Sequence, residues 1–230
     1  PAGYVGAIRS AQLGLTVAAI LKAIDNMSTG RYLRGLLYMF PTDNDVISFS
    51  KSRLQRMIRD NPRTLAKRIG DTDSASLRQI GEGFLYLRGG RSEIQLRSIP
   101  CDGLYVDEAD LIPPVAMSLA RGRLDGSEIK DELQLSTPKF PEMGIDSEYS
   151  NSSHAKWVIP CRTHSTCLED TFPDCLTRDG DGYTVHRICT TCKSAIDPSH
   201  GKWEHEFPNH EVHGYAISQL CSPTVDPRVI

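Results

Sequence analysis

The order of elements at the N-terminal end constrains this chain more than any other feature. A short β-rich run, Tyr4–Ile8, leads through Arg9, Ser10, Ala11, Gln12, Leu13, Gly14, Leu15 and Thr16 into Val17–Ile24, whose apolar density is that of a helix. The alternation then continues. Gly35–Phe40 reads as a second buried strand, and Pro41-Thr42-Asp43 after it as a helix start. That helix runs through Arg59 and stops before Pro62. Phe84–Leu87 is a third strand candidate, followed by Gly89-Gly90 and the apolar stretch Ile94–Ile99. Leu104–Val106 is a fourth and Leu133–Leu135 a fifth. Strands alternating with helices over this length predict an α/β fold, a mostly parallel sheet flanked by helices.

Beyond Lys139 the pattern changes to short polar segments with Gly, Pro and Cys, without helical periodicity. This predicts a boundary near residues 140–156, with a core over 1–150 and a smaller segment over 151–230. A chain of 230 residues holds one ordinary domain and a small appendage. Charged residues make up 24%, and no stretch approaches the roughly 18–20 consecutive apolar residues of a membrane span, so no membrane role is expected. The N-terminus lacks an initiator Met and the basic and apolar regions of a signal peptide, so the chain reads as a fragment of a longer protein.

Residues 1–100 hold 15 Lys and Arg against 8 Asp and Glu, whereas residues 101–230 hold 11 against 21. Much of the basic excess lies between Lys51 and Arg68. Two readings stand open for it, a stripe that contacts phosphates and a solvated helix face.

The turn from Arg9 to Thr16 has the length and the closing Gly-x-Thr of a phosphate-binding P-loop, but no Lys before the Thr. Backbone N–H groups at a helix N-terminus bind phosphate oxygens, Gly14 allows close approach, and Thr16 can ligate Mg²⁺. Arg9, at the other end of the loop, can supply the missing cation by folding across the phosphates. The alternative is an ordinary strand–turn–helix with a surface Arg.

Asp107 and Glu108 follow an apolar strand directly, where the carboxyl ends of parallel strands line the ligand crevice. As a Walker B pair, Asp107 holds Mg²⁺ and Glu108 orients and deprotonates the attacking water. First-turn acids of a helix are the alternative. One strand later, Ser136 and Thr137 precede Pro138, within reach of a γ-phosphate in such a fold. Hydrolysis would then be felt by the chain that follows.

Cys189 and Cys192 form a C-x2-C knuckle, and Cys161, His164 and Cys167 lie upstream, Cys167 being 22 residues before Cys189. Four soft ligands at such spacing suit a closed, tetrahedral structural Zn²⁺. The second ligand of the first pair stays open between His164 and Cys167, and buried free thiols are the alternative to metal. Trp157, Ile159, Ile188 and Trp203 form a candidate mini-core around the site.

The basic residue at the front of the turn, the order of the three motifs, and the run Leu96-Arg-Ser-Ile-Pro-Cys-Asp-Gly-Leu-Tyr-Val-Asp-Glu-Ala-Asp110 together resemble the large subunit of tailed-phage terminase, in its lambda-like branch. In that family the deviant Walker A begins with Lys or Arg, matched by Arg9. Its Leu-Arg-Ser element matches Leu96, Arg97 and Ser98, and its coupling motif matches Ser136 to Pro138. Its C-x2-C puts His164 where a ligand is expected, with Cys167 the departure. The resemblance spans about Tyr4 to Pro223.

It implies an additional-strand P-loop NTPase followed by a small zinc-binding segment. It also implies a motor that hydrolyses ATP with Mg²⁺ to move double-stranded DNA into a procapsid, in the cytoplasm of an infected bacterium. Partners would be a portal protein, the small terminase subunit and further copies in a ring. Arg97 would act across that ring as an arginine finger, with Arg88 and Arg91 as nearby competitors. The adenine-contacting segment is expected before Pro1 and the nuclease after Ile230. The rival readings are a helicase-like DNA-dependent ATPase and a non-enzymatic zinc-containing nucleic-acid binding module.

Overall fold

The computed structural model describes residues 4–9 through their backbone, and residues 13–162, 164–180 and 182–230 in full. The front half alternates as its sequence predicts. Strand β1 (Tyr4–Arg9) leads to helix α1 (Leu15–Ser28), and β2 (Leu36–Phe40) to α2 (Asp43–Ser48) and α3 (Gln55–Asp60), which a π-helical segment, Phe49–Leu54, joins into one continuous run. Thr42 starts that run with a reciprocal capping box: its hydroxyl accepts the Asp45 amide at 3.2 Å, and the Asp45 carboxylate accepts the Thr42 amide at 3.0 Å.

Two strands that the sequence pattern did not single out follow, β3 (Ile69–Asp73) and β4 (Leu77–Ile80). They pair antiparallel with each other, and β4 pairs antiparallel with β5 (Gly83–Gly89). The apolar stretch Ile94–Ile99 begins as a short 3-10 turn, Glu93–Leu96. Strand β6 (Gly103–Asp107), α4 (Pro114–Arg121), β7 (Asp131–Ser136) and α5 (Ile145–Ser150) complete the first 150 residues. Residues 151–230 add β8 (Ala155–Pro160), β9 (Ser165–Thr166), β10 (Leu176–Arg178), β11 (Val185–Arg187), β12 (Lys202–His205) and β13 (Val212–Ile217).

In space the main sheet runs β12-β8-β13-β1-β7-β6-β2-β5-β4-β3, with β9 attached to β8. From β13 through β5 each neighbouring pair is parallel. Strands β8, β12 and β13 therefore carry the sheet onward past β1, so the cysteine-bearing segment is built onto the layer that the front half begins. Strands β10 and β11 pair separately.

Period-2 alternation divides the core between the two faces. Leu36, Tyr38 and Phe40 of β2 pack with Ile20, Ile24 and Met27 of α1 and with Phe49 and Leu54 of the π segment. Leu37 and Met39 face the other way, with Leu104 and Val106 of β6, against Ala116 and Ala120 of α4. Tyr38 stacks on Phe40 at 5.0 Å and on Phe49 at 6.2 Å between ring centroids. Each such pair is worth about 1 kcal/mol beyond its burial. They fix the π segment over the carboxyl ends of the strands. No helix among the described residues is long and apolar enough to cross a membrane.

Candidate active site

A cleft of about 690 Å³ opens at the carboxyl ends of β2 and β6. Thr16, Asp107 and Glu108 all line it, so three of the residues marked in the sequence meet although about 90 positions separate the two motifs. Its size is ordinary for a small-ligand site.

Thr16 enters the cleft from the first turn of α1. Gly14 caps that helix in the left-handed region (φ 73°, ψ 13°), and its carbonyl accepts the Ala18 amide at 3.0 Å. A Cβ placed at Gly14 would meet nothing within 4 Å, so glycine is needed here for its backbone and not for space. Leu13 is half-buried, and Leu15 packs against the core behind the turn. Ser10, Ala11, Gln12 and the side chain of Arg9 lie outside the described residues.

Asp107 is 5% exposed at the last position of β6. Its Oδ1 accepts the Glu108 amide at 3.1 Å. Glu108 itself adopts a left-handed conformation (φ 51°, ψ 51°), unusual for a residue with a Cβ. Such a conformation costs about 1–2 kcal/mol and persists where the surroundings over-determine it. The β6 strand and the 3-10 turn Ala109–Leu111 clamp it from both sides.

Ser136 and Thr137 divide their roles. Ser136 is fully buried, and its hydroxyl accepts the Asp110 amide at 3.2 Å, so it is committed to the turn after β6. Thr137 is exposed, and neither residue is among those that line the cleft. Arg97 is exposed just beyond the turn Glu93–Leu96 and likewise lies outside the lining.

Three cations that motif reading did not assign to this pocket do line it: Arg53, Arg91 and Lys139. Arg53 belongs to the basic run after Lys51, and the π segment carries it. Buried Arg78 braces that segment from β4: its guanidinium pairs with Asp73 and donates to Ser50 Oγ at 3.1 Å and Gln55 Oε1 at 3.0 Å. Burial holds the Arg78 pKa below the ordinary guanidinium value. Lys139 follows the Ser136–Pro138 turn, and only the three-dimensional fold brings it back to the cleft.

A second constellation lies at the far end of the sheet. The ligand atoms of Cys161, His164, Cys189 and Cys192 all fall within 4.8 Å of one another. His164 Nε2 is 2.9 Å from Cys189 Sγ, and the Cys161 and Cys192 sulfurs are 3.7 Å apart. Thiolates and an imidazole are the donors a structural zinc takes, and a tetrahedral ion with Zn–S bonds of about 2.3 Å sets sulfurs about 3.7 Å apart, as Cys161 and Cys192 are; His164 Nε2 lies closer to Cys189 than two bound ligands would. The Ser194 hydroxyl and then its amide, opposed by slight desolvation and helped by the neighbouring thiols, lower the Cys192 thiol to about 6.

Cys167 is not in this group, and burial pushes its thiol up. Of the two alternatives for the second ligand, the fold brings His164 to the cluster. Ile159 and Cys189 pack with Leu168, Cys175, Ile196 and Leu220 in a small core, with Trp157 at its edge. Trp203 joins it through Trp157, ring centroids 5.0 Å apart.

A model of the family described as phage terminase large subunit gpA, ATPase domain, matches residues 4–207. No curated protein matches the chain. Among solved structures, the ATPase domain of the large terminase of Thermus phage P74-26 is similar over 94% of this chain and 76% of its own, with a TM-score of 0.57 and 13% identity. The large terminase of a second, thermophilic bacteriophage, in complex with ADP, is similar over 59% of this chain, with a TM-score of 0.44 and 16% identity. The chain spans about a third, 33%, of that second protein. At these identities the likeness to solved structures is one of fold.

Proposed function

The chain belongs to the family of phage terminase large subunit gpA ATPase domains, and from that premise we propose that it is the ATP-hydrolysing motor core that drives double-stranded DNA into a procapsid. The observation that carries the reading is the meeting of Thr16, Asp107 and Glu108 in one cleft at the carboxyl ends of parallel strands. The turn Ser10, Ala11, Gln12, Leu13, Gly14, Leu15 and Thr16 cradles the phosphates with backbone amides, and Arg9 supplies the charge that a Walker A lysine gives elsewhere.

The Thr16 hydroxyl and the Asp107 carboxylate are hard oxygen donors that would hold Mg²⁺, which neutralises charge on the β- and γ-phosphates when bound. Glu108 orients the attacking water and takes its proton. Arg97 reaches the site of a neighbouring subunit. In residues 151–230, whose strands β8, β12 and β13 continue the main sheet, Cys161, His164, Cys189 and Cys192 bind a structural Zn²⁺. The motor works as a ring on a portal protein, with the small terminase subunit, in the infected bacterial cell.

Nucleotide turnover tests this reading. The protein should hydrolyse ATP only with a divalent cation, and Asp107→Asn should abolish turnover while far-ultraviolet dichroism stays unchanged. Wild type that neither binds nor hydrolyses ATP favours the nucleic-acid binding module.

A further inference from the structure

Asp110 binds two backbone amides far along the chain. Its Oδ2 accepts the Lys139 amide at 3.0 Å, and its Oδ1 accepts the Ile145 amide at 2.8 Å. Its own amide donates to buried Ser136 at 3.2 Å. The contact is built closely: a Cβ on Gly144 would stand 2.5 Å from Asp110 Oδ1, and Gly144 has φ 56°, so glycine is required there on both counts.

Asp110 sits two residues after Glu108, within one rigid turn. The Leu111 amide donates to the Glu108 carbonyl at 2.8 Å and the Ile112 amide to that of Ala109 at 3.1 Å. A change in the backbone at Glu108 therefore moves Asp110 with it. On the other side, Lys139 lines the nucleotide cleft and Ile145 opens α5. Helix α5 packs against β1 and β13, and its Glu148 pairs with Arg121 of α4 at 3.0 Å.

We propose that Asp110 is a positioning residue that couples the Glu108 turn to the segment Lys139–Ile145, so that the state of the nucleotide at Glu108 is passed to α5. Three hydrogen bonds make the turn after β6 and the segment after β7 one mechanical unit, anchored at one end by a strained carboxylate residue and at the other by a helix. A carboxylate is the side chain for this task, because it accepts two amides at once. An asparagine offers one acceptor and must turn an NH₂ toward the second donor. The inference rests on the reading of Glu108 as the general base.

The test combines kinetics with amide exchange on the whole protein. In wild type, exchange across residues 139–145 should differ at least threefold between the ADP and non-hydrolysable ATP-analogue complexes. Asp110→Asn should keep KM for ATP within about twofold, lower kcat at least tenfold, and remove the nucleotide dependence of exchange. Asp110→Ala should be more severe. Normal kcat with nucleotide-dependent exchange in both variants overturns the proposal. So does wild-type exchange that ignores the nucleotide, a result that needs no variant to fold. Wild type without ATP binding overturns the motor reading as well, which separates the two failures.

Discussion

The Glu108 amide donates to the Asp107 carboxylate at 3.1 Å, so the two acids at the end of β6 form one turn and not two independent side chains. Glu108→Gln keeps the shape of that turn and removes only the basic oxygen. The expected result is a loss of at least a hundredfold in kcat with ATP affinity within about threefold, the range of a removed general base. Rapid-mix single-turnover measurements check it. A loss below tenfold assigns the proton to another group.

The metal cluster predicts a clean split between two neighbours. His164→Ala should lower bound zinc, measured by mass spectrometry under native conditions, to well below one ion per chain. Cys167→Ala should leave it at one, because Cys167 lies outside the group that closes on Cys189 and Cys192. A strong chelator should then unfold the surrounding mini-core, seen as a red shift of Trp157 and Trp203 emission. Equal zinc loss in both variants contradicts the assignment.

Arg187 is 8% exposed, and one of its guanidinium nitrogens serves the carbonyls of Ser222 at 3.0 Å, Val225 at 2.9 Å and Gln219 at 3.4 Å. Burial lowers its pKa from the ordinary value. Arg187→Met leaves those carbonyls without their donor and should destabilise the protein by about 2–4 kcal/mol. Arg187→Lys should recover part of that, since an ammonium still donates. Urea unfolding midpoints measure both. A change below about 0.5 kcal/mol refutes this anchoring role.

Cys101 is fully buried, and burial pushes its thiol up to about 12. The reactive form is the thiolate, so raising the pKa above the working pH removes it. At pH 8 the buried thiol is therefore held in its protonated, unreactive form. Native protein treated with iodoacetamide at pH 8 should stay unmodified at Cys101 and react there only after denaturation. Rapid labelling of the native state, read by peptide mass, is the opposing result.

The sequence disclosed the strands whose side chains are apolar on both faces, as in Leu36–Phe40 and Leu104–Val106, since burial on both sides leaves a continuous apolar run. Ile69–Asp73 escaped because it is a polar edge strand, and its neighbour β4 carries Arg78, whose burial depends on Ser50, Gln55 and Asp73 from elsewhere. The addition of β13 beside β1 was equally hidden, because that pairing joins residues some 208 positions apart, Tyr4 with Val212, and nothing local encodes it. Thr16, Asp107 and Glu108 were legible because their spacing is a motif. Lys139 and Asp110 were not, since their roles come from backbone contacts that only the folded chain creates. The choice between His164 and Cys167 turned on which side chain the loop after β8 brings back toward Cys189.

DNA-stimulated ATP hydrolysis by the protein assembled on a portal, compared between wild type, Glu108→Ala and Arg9→Ala, tests the motor most directly. Turnover should rise with double-stranded DNA in wild type and fall to background in both folded variants. Full activity in Arg9→Ala would contradict the displaced P-loop cation, and absence of turnover in wild type would contradict the motor itself.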